Sequence, residues 1–193
     1  MPATATVNAP QTAAFLEELR AIRRRAEALL ARVQGDAAFS WQPHDGRAWS
    51  VGQCLDHLNQ TNRLYLSAIR DGLAGQPRAA APVTTPVRST WFGRWFAASM
   101  EPGTRKMPAP KKVIPRSAQR RADVSAEFFR TLDEIQAVLE DAATIDLNRA
   151  AFPSPLFTLS RVRAGTGFRI LLAHLRRHLA QAEKVVTQHA RSR

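Results

Sequence analysis

The chain has almost no cysteine: of its 193 residues only Cys54 carries a thiol. That excludes an internal disulfide framework and a zinc ribbon built on cysteines. Long apolar runs are missing as well. No window approaches the roughly 18 consecutive apolar residues that a membrane span needs, so no membrane association is expected. The stretch from Met1 to Pro10 has neither a basic leader nor an apolar core, which argues against a signal peptide and for the cytoplasm. Acidic residues are scarce beside basic ones, 16 against 28, leaving a net charge of +12. Such a balance raises the question of nucleic acid. The positive residues, however, lie in short dispersed groups such as Arg23-Arg24-Arg25, Lys111-Lys112 and Arg176-Arg177, with Arg176 and Arg177 expected to face water. No groove-reading motif accompanies them, and nucleic acid is not an expected partner. Arginine and alanine dominate, and both have GC-rich codons, which points to a bacterial source. Internal repeats, low-complexity tracts and strand-like alternation of useful length are all absent, as are a Ser–His–Asp pattern and a phosphate-cradling glycine loop.

What the chain does have is helical periodicity. Residues 1–9 read as a disordered N-terminus, and residues 10–193 as a single domain. A first helix opens at Pro10 or Thr12 and carries Phe15, Leu19, Ile22, Ala26, Leu29, Leu30 and Val33 on one face, with Gly35 as its stop. The next residues, Asp36 to Trp49, read as turns. A second helix begins at Ser50-Val-Gly-Gln53, a capping box, with Trp49 placed to staple onto its first turn, and it runs to Gly72. Seven prolines then forbid regular structure through most of Leu73–Arg116. Inside that connection, Thr90 to Met100 reads as a short helix whose two Trp and two Phe favour ordered packing. A third helix is expected from about Ser117 to Ala143 and a fourth from Phe168 onward, after the irregular, Pro- and Gly-containing stretch 144–167. The expected architecture is an all-α four-helix bundle, with a long crossover that lets the second and third helices run parallel.

The chemistry lies on two of these helices. His174 and His178 stand one turn apart on the flank of the fourth helix's apolar stripe, and His57 has a similar angular offset on the second. Three imidazoles on converging flanks suit a divalent metal and leave a coordination position open, as catalytic sites do. Zinc suits three nitrogen ligands; nickel, iron and manganese stay open, because ligand type separates them poorly. Gln181, one turn past His178, is a candidate hydrogen-bond partner behind the ligands or toward a substrate. Cys54 reads as a small buried hydrophobe. His44 and His189 read as exposed, and Asp56 and Glu183 as pointing away from the inner flank.

The pair of motifs Trp49-Ser50-x-x-Gln53-x-x-x-His57-Leu58 and His174-x-x-x-His178-x-x-Gln181 resembles the DinB-like superfamily, metal-binding four-helix bundles that include thiol S-transferases. The resemblance implies that His57, His174 and His178 form the metal triad. Gln53 stands where many members carry Glu, a change in capping. The resemblance implies fold and ligands more firmly than a reaction. One functional expectation is a metal-dependent transferase that activates a low-molecular-weight thiol against a small electrophile. The carboxylates of such a thiol would meet Arg88, Arg94, Arg161, Arg163 or Arg169, and Trp91 and Trp95, with Phe92 and Phe96, would form a lid. Metal-assisted hydrolysis is the same site used differently. The other expectation is a non-catalytic metal-binding or stress-associated bundle, and a homodimer is open in either case.

Overall fold

The structure, a computed structural model, describes residues 9–104, 108–116, 120–155 and 161–192. Among these residues six α-helices form in chain order: α1 (Ala13–Ala31), α2 (Gly35–Ser40), α3 (Val51–Leu73), α4 (Trp91–Ser99), α5 (Arg121–Asp141) and α6 (Ala164–Arg191). Two short strands, β1 (Ala151–Pro153) and β2 (Arg161–Arg163), pair antiparallel, with Phe152 opposite Val162. No helix among the described residues is long and apolar enough to cross a membrane.

The long helices α1, α3, α5 and α6 make an all-α bundle. Helix α3 packs on α5 and α6, and α1 completes the square against the same two. Directions follow from the contacts. Asn59 reaches Val124 and Arg70 reaches Glu134, so α3 and α5 run parallel, as expected from the crossover. Arg25 forks onto Glu183 at 2.6 Å through both nitrogens, while Phe15 meets Phe168, so α1 and α6 also run parallel. Apolar residues at three- and four-residue steps fill the centre: Phe15, Leu19, Ile22, Leu55, Leu58, Leu66, Phe128, Leu132, Leu171 and Leu175 are all buried. Each contributes about 1.5–3 kcal/mol of transfer free energy before the entropy of ordering is counted.

Several boundaries differ from the sequence reading, each for a local reason. Helix α1 ends at Ala31, and Gly35, with φ of 78°, instead admits the chain to the short helix α2. That helix buries Phe39, which lies so close to Gly52 that a Cβ there would stand 2.7 Å from the ring. The expected start of the third helix at Ser117 lies outside the described residues, as do residues 1–8 of the N-terminus; the helix is in place from Arg121. The fourth helix starts at Ala164 rather than Phe168, so Gly165 and Gly167 lie inside it. Both permit close approach instead of breaking the helix: a Cβ would stand 2.4 Å from Val87 at the first and 2.5 Å from the Phe152 ring at the second. Gly72 likewise sits inside α3, against Phe152 and Ala151. Phe152 is fully buried there, which explains the hairpin that the sequence reading missed. Strands of three residues are too short for alternation to register.

The crossover is the part that positions the site. Backbone bonds from Ala79 to Thr144 and from Val83 to Ala143 hold its first half to the end of α5. Helix α4 then lies along α6, and residues 110–116 return across α3. There Asp56, fully buried, accepts from the Arg116 backbone N–H at 2.8 Å and its guanidinium at 2.9 Å. The orientation of α4 overturns the expectation of packed aromatics: Trp91, Phe92 and Trp95 are 72%, 56% and 54% exposed.

Candidate metal centre

The site begins with how α3 starts. The Ser50 hydroxyl accepts from the Gln53 backbone N–H at 3.1 Å, and Gln53 Oε1 accepts from the Ser50 N–H at 3.0 Å. This reciprocal cap satisfies two N–H groups that the first turn would otherwise leave unpaired. It also places His57 about two turns into the helix, facing α6. Trp49, just before the cap, lays its ring against His57 at 4.9 Å and His178 at 5.7 Å between centroids. The expected staple residue is thus a wall of the site.

The three imidazoles meet. Ligand-capable nitrogens of His57, His174 and His178 all lie within 4.8 Å of one another, and the Nε2 atoms of His57 and His174 are 3.1 Å apart. His57 Nδ1 is 2.6 Å from the Val113 carbonyl oxygen. A carbonyl only accepts, so Nδ1 carries the proton and Nε2 presents a lone pair. His178 Nδ1 lies 3.0 Å from Gln181 Oε1, which assigns its proton in the same way. Zinc–nitrogen bonds of about 2.0–2.1 Å in tetrahedral geometry place ligand nitrogens about 3.3 Å apart. The His57–His174 spacing is close to that value, and the donor set of three imidazoles fits a divalent cation.

Electrostatics agree with the geometry. Desolvation lowers the pKa of all three rings: for His57 against the opposing hydrogen bond to Val113, for His174 strongly and with help from the neighbouring His178 and His57, and for His178 to about 3. All three are therefore neutral at physiological pH, the form that ligates metals. Burial pushes the Cys54 thiol up, which makes it inert and fits its reading as a small hydrophobe.

A cavity of about 340 Å³ opens onto the triad. Its walls are mostly apolar, from Trp49, Phe96, Met100, Pro108, Pro110, Val113, Ile170 and Leu171, with Thr61 and Tyr65 continuing the His57 side of α3. Burial raises the Tyr65 phenol to about 12, so it stays protonated, bonded to Ser154. Among the described residues no carboxylate lines the cavity. Glu183 is held by Arg25, and Asp56 by Arg116 and Gln60.

Other expected participants fall elsewhere. Trp91 and Trp95 do not line the cavity; Phe96 and Met100, on the opposite face of α4, do. Arg88, Arg94, Arg161, Arg163 and Arg169 are exposed and away from its wall. Among the described residues, the cation that lines it is Arg177, which the sequence reading turned toward water. Three residues after His174, Arg177 shares that flank. There it donates to the Ser99 and Glu101 carbonyl oxygens at 3.1 and 3.3 Å, joining α6 to the end of α4. His44 is exposed as expected, whereas His189 is half-buried against Trp41, ring centroids 5.0 Å apart.

Comparison with known proteins gives one family match, the DinB superfamily, over residues 18–182. No curated protein and no solved structure matches. The matched region spans α3 and the histidine-bearing turns of α6, so the triad and its supports lie within it. The match covers most of a chain that folds as a helical bundle, and the chain belongs to the DinB superfamily.

Proposed function

We propose that the protein binds a divalent metal through His57, His174 and His178 and transfers a low-molecular-weight thiol to an electrophilic small molecule. The observation that carries the reading is the convergence of three neutral imidazoles at an apolar cavity without a carboxylate on its wall. When bound, a divalent cation, zinc being the best match to three nitrogens, supplies a Lewis acid that lowers the pKa of a thiol. Thiol transfer then needs no separate carboxylate base. Among the described residues the wall offers none. Val113 and Gln181 hold two of the rings by their Nδ1–H groups, which keeps the Nε2 lone pairs aimed inward. Trp49, Phe96, Met100 and Ile170 exclude water and favour an apolar electrophile. Arg177 supplies positive charge at the wall, where a carboxylate of the thiol would be stabilised.

The test is elemental analysis of purified protein, followed by a screen of small thiols with a generic electrophile. His178→Ala should lose bound metal and transfer activity together while keeping its helical circular dichroism. Transfer that persists undiminished in that variant sinks the reading. Tightly held metal without any transfer would move the protein to the non-catalytic metal-binding class.

A further inference from the structure

The exposed face of α4 calls for a partner. Two contacts fix the start of helix α4: the Thr90 hydroxyl caps it by accepting from the Gly93 N–H at 3.0 Å, and Gly93 lies against Thr166 of α6, where a Cβ would stand 2.8 Å away. With Gly93, Phe96 and Met100 turned inward, the 100° step per residue sends Trp91 and Trp95 to the opposite side, with Phe92 and Arg94 on the two flanks. Phe92 packs on the Trp95 ring at 5.7 Å, so these aromatics form one contiguous patch in water. Scattered exposed hydrophobics are ordinary, but two Trp and a Phe over half exposed on one short helix mark an interaction surface.

Charge selects the kind of partner. From Gly72 to Met100 the chain has no Asp or Glu but carries Arg78, Arg88 and Arg94. From Leu147 to Ala182 it again has none, and carries six arginines. These two segments meet at α4: the Arg169 guanidinium donates to the Val87 carbonyl oxygen at 3.1 Å, and the Thr166 hydroxyl bonds that of Ser89 at 3.0 Å. Exposed Arg88, Arg94 and Arg169 therefore surround the aromatic patch with no carboxylate from their own segments to neutralise them. A second copy of this chain would bring like charge against like. An anionic lipid headgroup layer is the complement: arginines engage phosphates, and Trp and Phe settle at the boundary between headgroup and acyl chain.

We propose that α4 docks the protein onto anionic membrane surfaces through Trp91, Phe92 and Trp95, with Arg88, Arg94 and Arg169 engaging lipid phosphates. The absence of a spanning segment is compatible with this, because an interfacial helix lies on the bilayer without crossing it. The inner residues of the same helix, Phe96 and Met100, line the apolar cavity, so docking brings that cavity next to a reservoir of apolar molecules. The inference does not depend on a metal or a reaction.

Co-sedimentation of the full chain with vesicles tests it. Equimolar phosphatidylglycerol and phosphatidylcholine should bind the protein at least about tenfold more tightly than phosphatidylcholine alone, and less tightly as salt rises. Binding should shift tryptophan emission to the blue, since Trp91 and Trp95 are the exposed indoles. The double change Trp91→Ser with Trp95→Ser, on a solvent-facing surface, should weaken binding about tenfold or more. Arg94→Glu, which leaves the aromatics in place, should do so too. Three results would overturn the proposal: no sedimentation with anionic vesicles, sedimentation that survives the loss of both tryptophans, or a dimer that those changes dissolve in a protein that ignores lipid. The last would assign the patch to contact between copies.

Discussion

Helix α3 carries two buried polar layers, one on each flank, and they behave differently. Toward α5, Asn59 donates to the Val124 carbonyl oxygen at 3.1 Å and Asn62 to the Thr131 hydroxyl at 2.9 Å. Toward α6, His57 meets His174 and His178. Both layers contain groups that are out of water, and both leave an atom unpaired among the described residues, the two asparagine Oδ1 atoms in one and His174 Nδ1 in the other. Burial of polar groups therefore does not distinguish a site from a structural layer. What distinguishes them is where the lone pairs point. The amides hand protons to carbonyl and hydroxyl acceptors one to one. His57 and His178 instead turn unprotonated Nε2 atoms inward, that of His57 to 3.1 Å from His174 Nε2, and the cavity opens beside them, so lone pairs face a space that a cation can enter.

Acid is the widest test of that contrast, because only the histidine layer titrates. Each ring has a folded pKa below its usual value of about 6.5, chiefly through desolvation. The unfolded chain therefore takes up protons near pH 6.5 that the fold refuses, and ν_U exceeds ν_N. Stability of the metal-stripped protein should be full above about pH 6.5 and fall as pH drops below it, toward the folded values. With three rings the limiting slope is about 4 kcal/mol per pH unit. Glu101, raised by desolvation, pulls in the opposite sense but is a single group. Urea titrations between about pH 7 and pH 5 read the slope directly. A flat profile would mean that the rings are solvated, and that the two layers do not differ as described.

The converse change is smaller. Asn62→Ala removes a buried amide and leaves a void beside Thr131, a loss of about 2 kcal/mol in unfolding free energy. Metal content should be unchanged, because the affected layer faces α5. If metal falls with Asn62→Ala, the two flanks of α3 are coupled and the contrast fails.

How much of this was legible in the chain depends on the range of the interaction. The apolar stripes, the Ser50–Gln53 cap and the three histidines could be read because helix periodicity and capping are local, and turn-to-turn spacing places side chains on a common flank. The resemblance carried by the same residues added the family. What escaped depended on which neighbour arrives. Gly165 and Gly167 looked like breakers until Val87 and Phe152 were seen to fill the space beside them. Arg177 was assigned to water because its own helix does not reveal that the crossover delivers the Ser99 and Glu101 carbonyls to it. The aromatics of α4 were expected to pack because their composition is apolar; the contact between Gly93 and Thr166 decides which face turns outward. Trp49 was visible as a staple but not as a wall, since that role needs His178 from the far end of the chain.

Gln181 gives the finest division within the histidine layer. Val113, which fixes His57, offers a backbone carbonyl that no side-chain change removes, whereas the oxygen that fixes His178 belongs to a side chain. His174 Nδ1 has no such partner among the described residues, so packing and the contact of its Nε2 with His57 orient it. Loss of an outer hydrogen bond of this kind weakens metal binding about 10–100-fold in other sites. Here the smaller figure is expected, because the Trp49 ring stays against His178 and limits its rotation. Gln181→Ala should thus bind zinc about tenfold more weakly, about 1.4 kcal/mol, with no loss of helix content and no effect on the asparagine layer. Gln181→Glu keeps an acceptor at that position and should restore the affinity, whereas Gln181→Met, similar in size but without the oxygen acceptor, should not. Competition titration against a zinc chelator measures both variants. Equal affinity in Gln181→Ala and the unaltered chain would show that packing against Trp49, and not the Gln181 oxygen, orients His178, leaving the carbonyl of Val113 as the outer hydrogen-bond partner that matters to the triad.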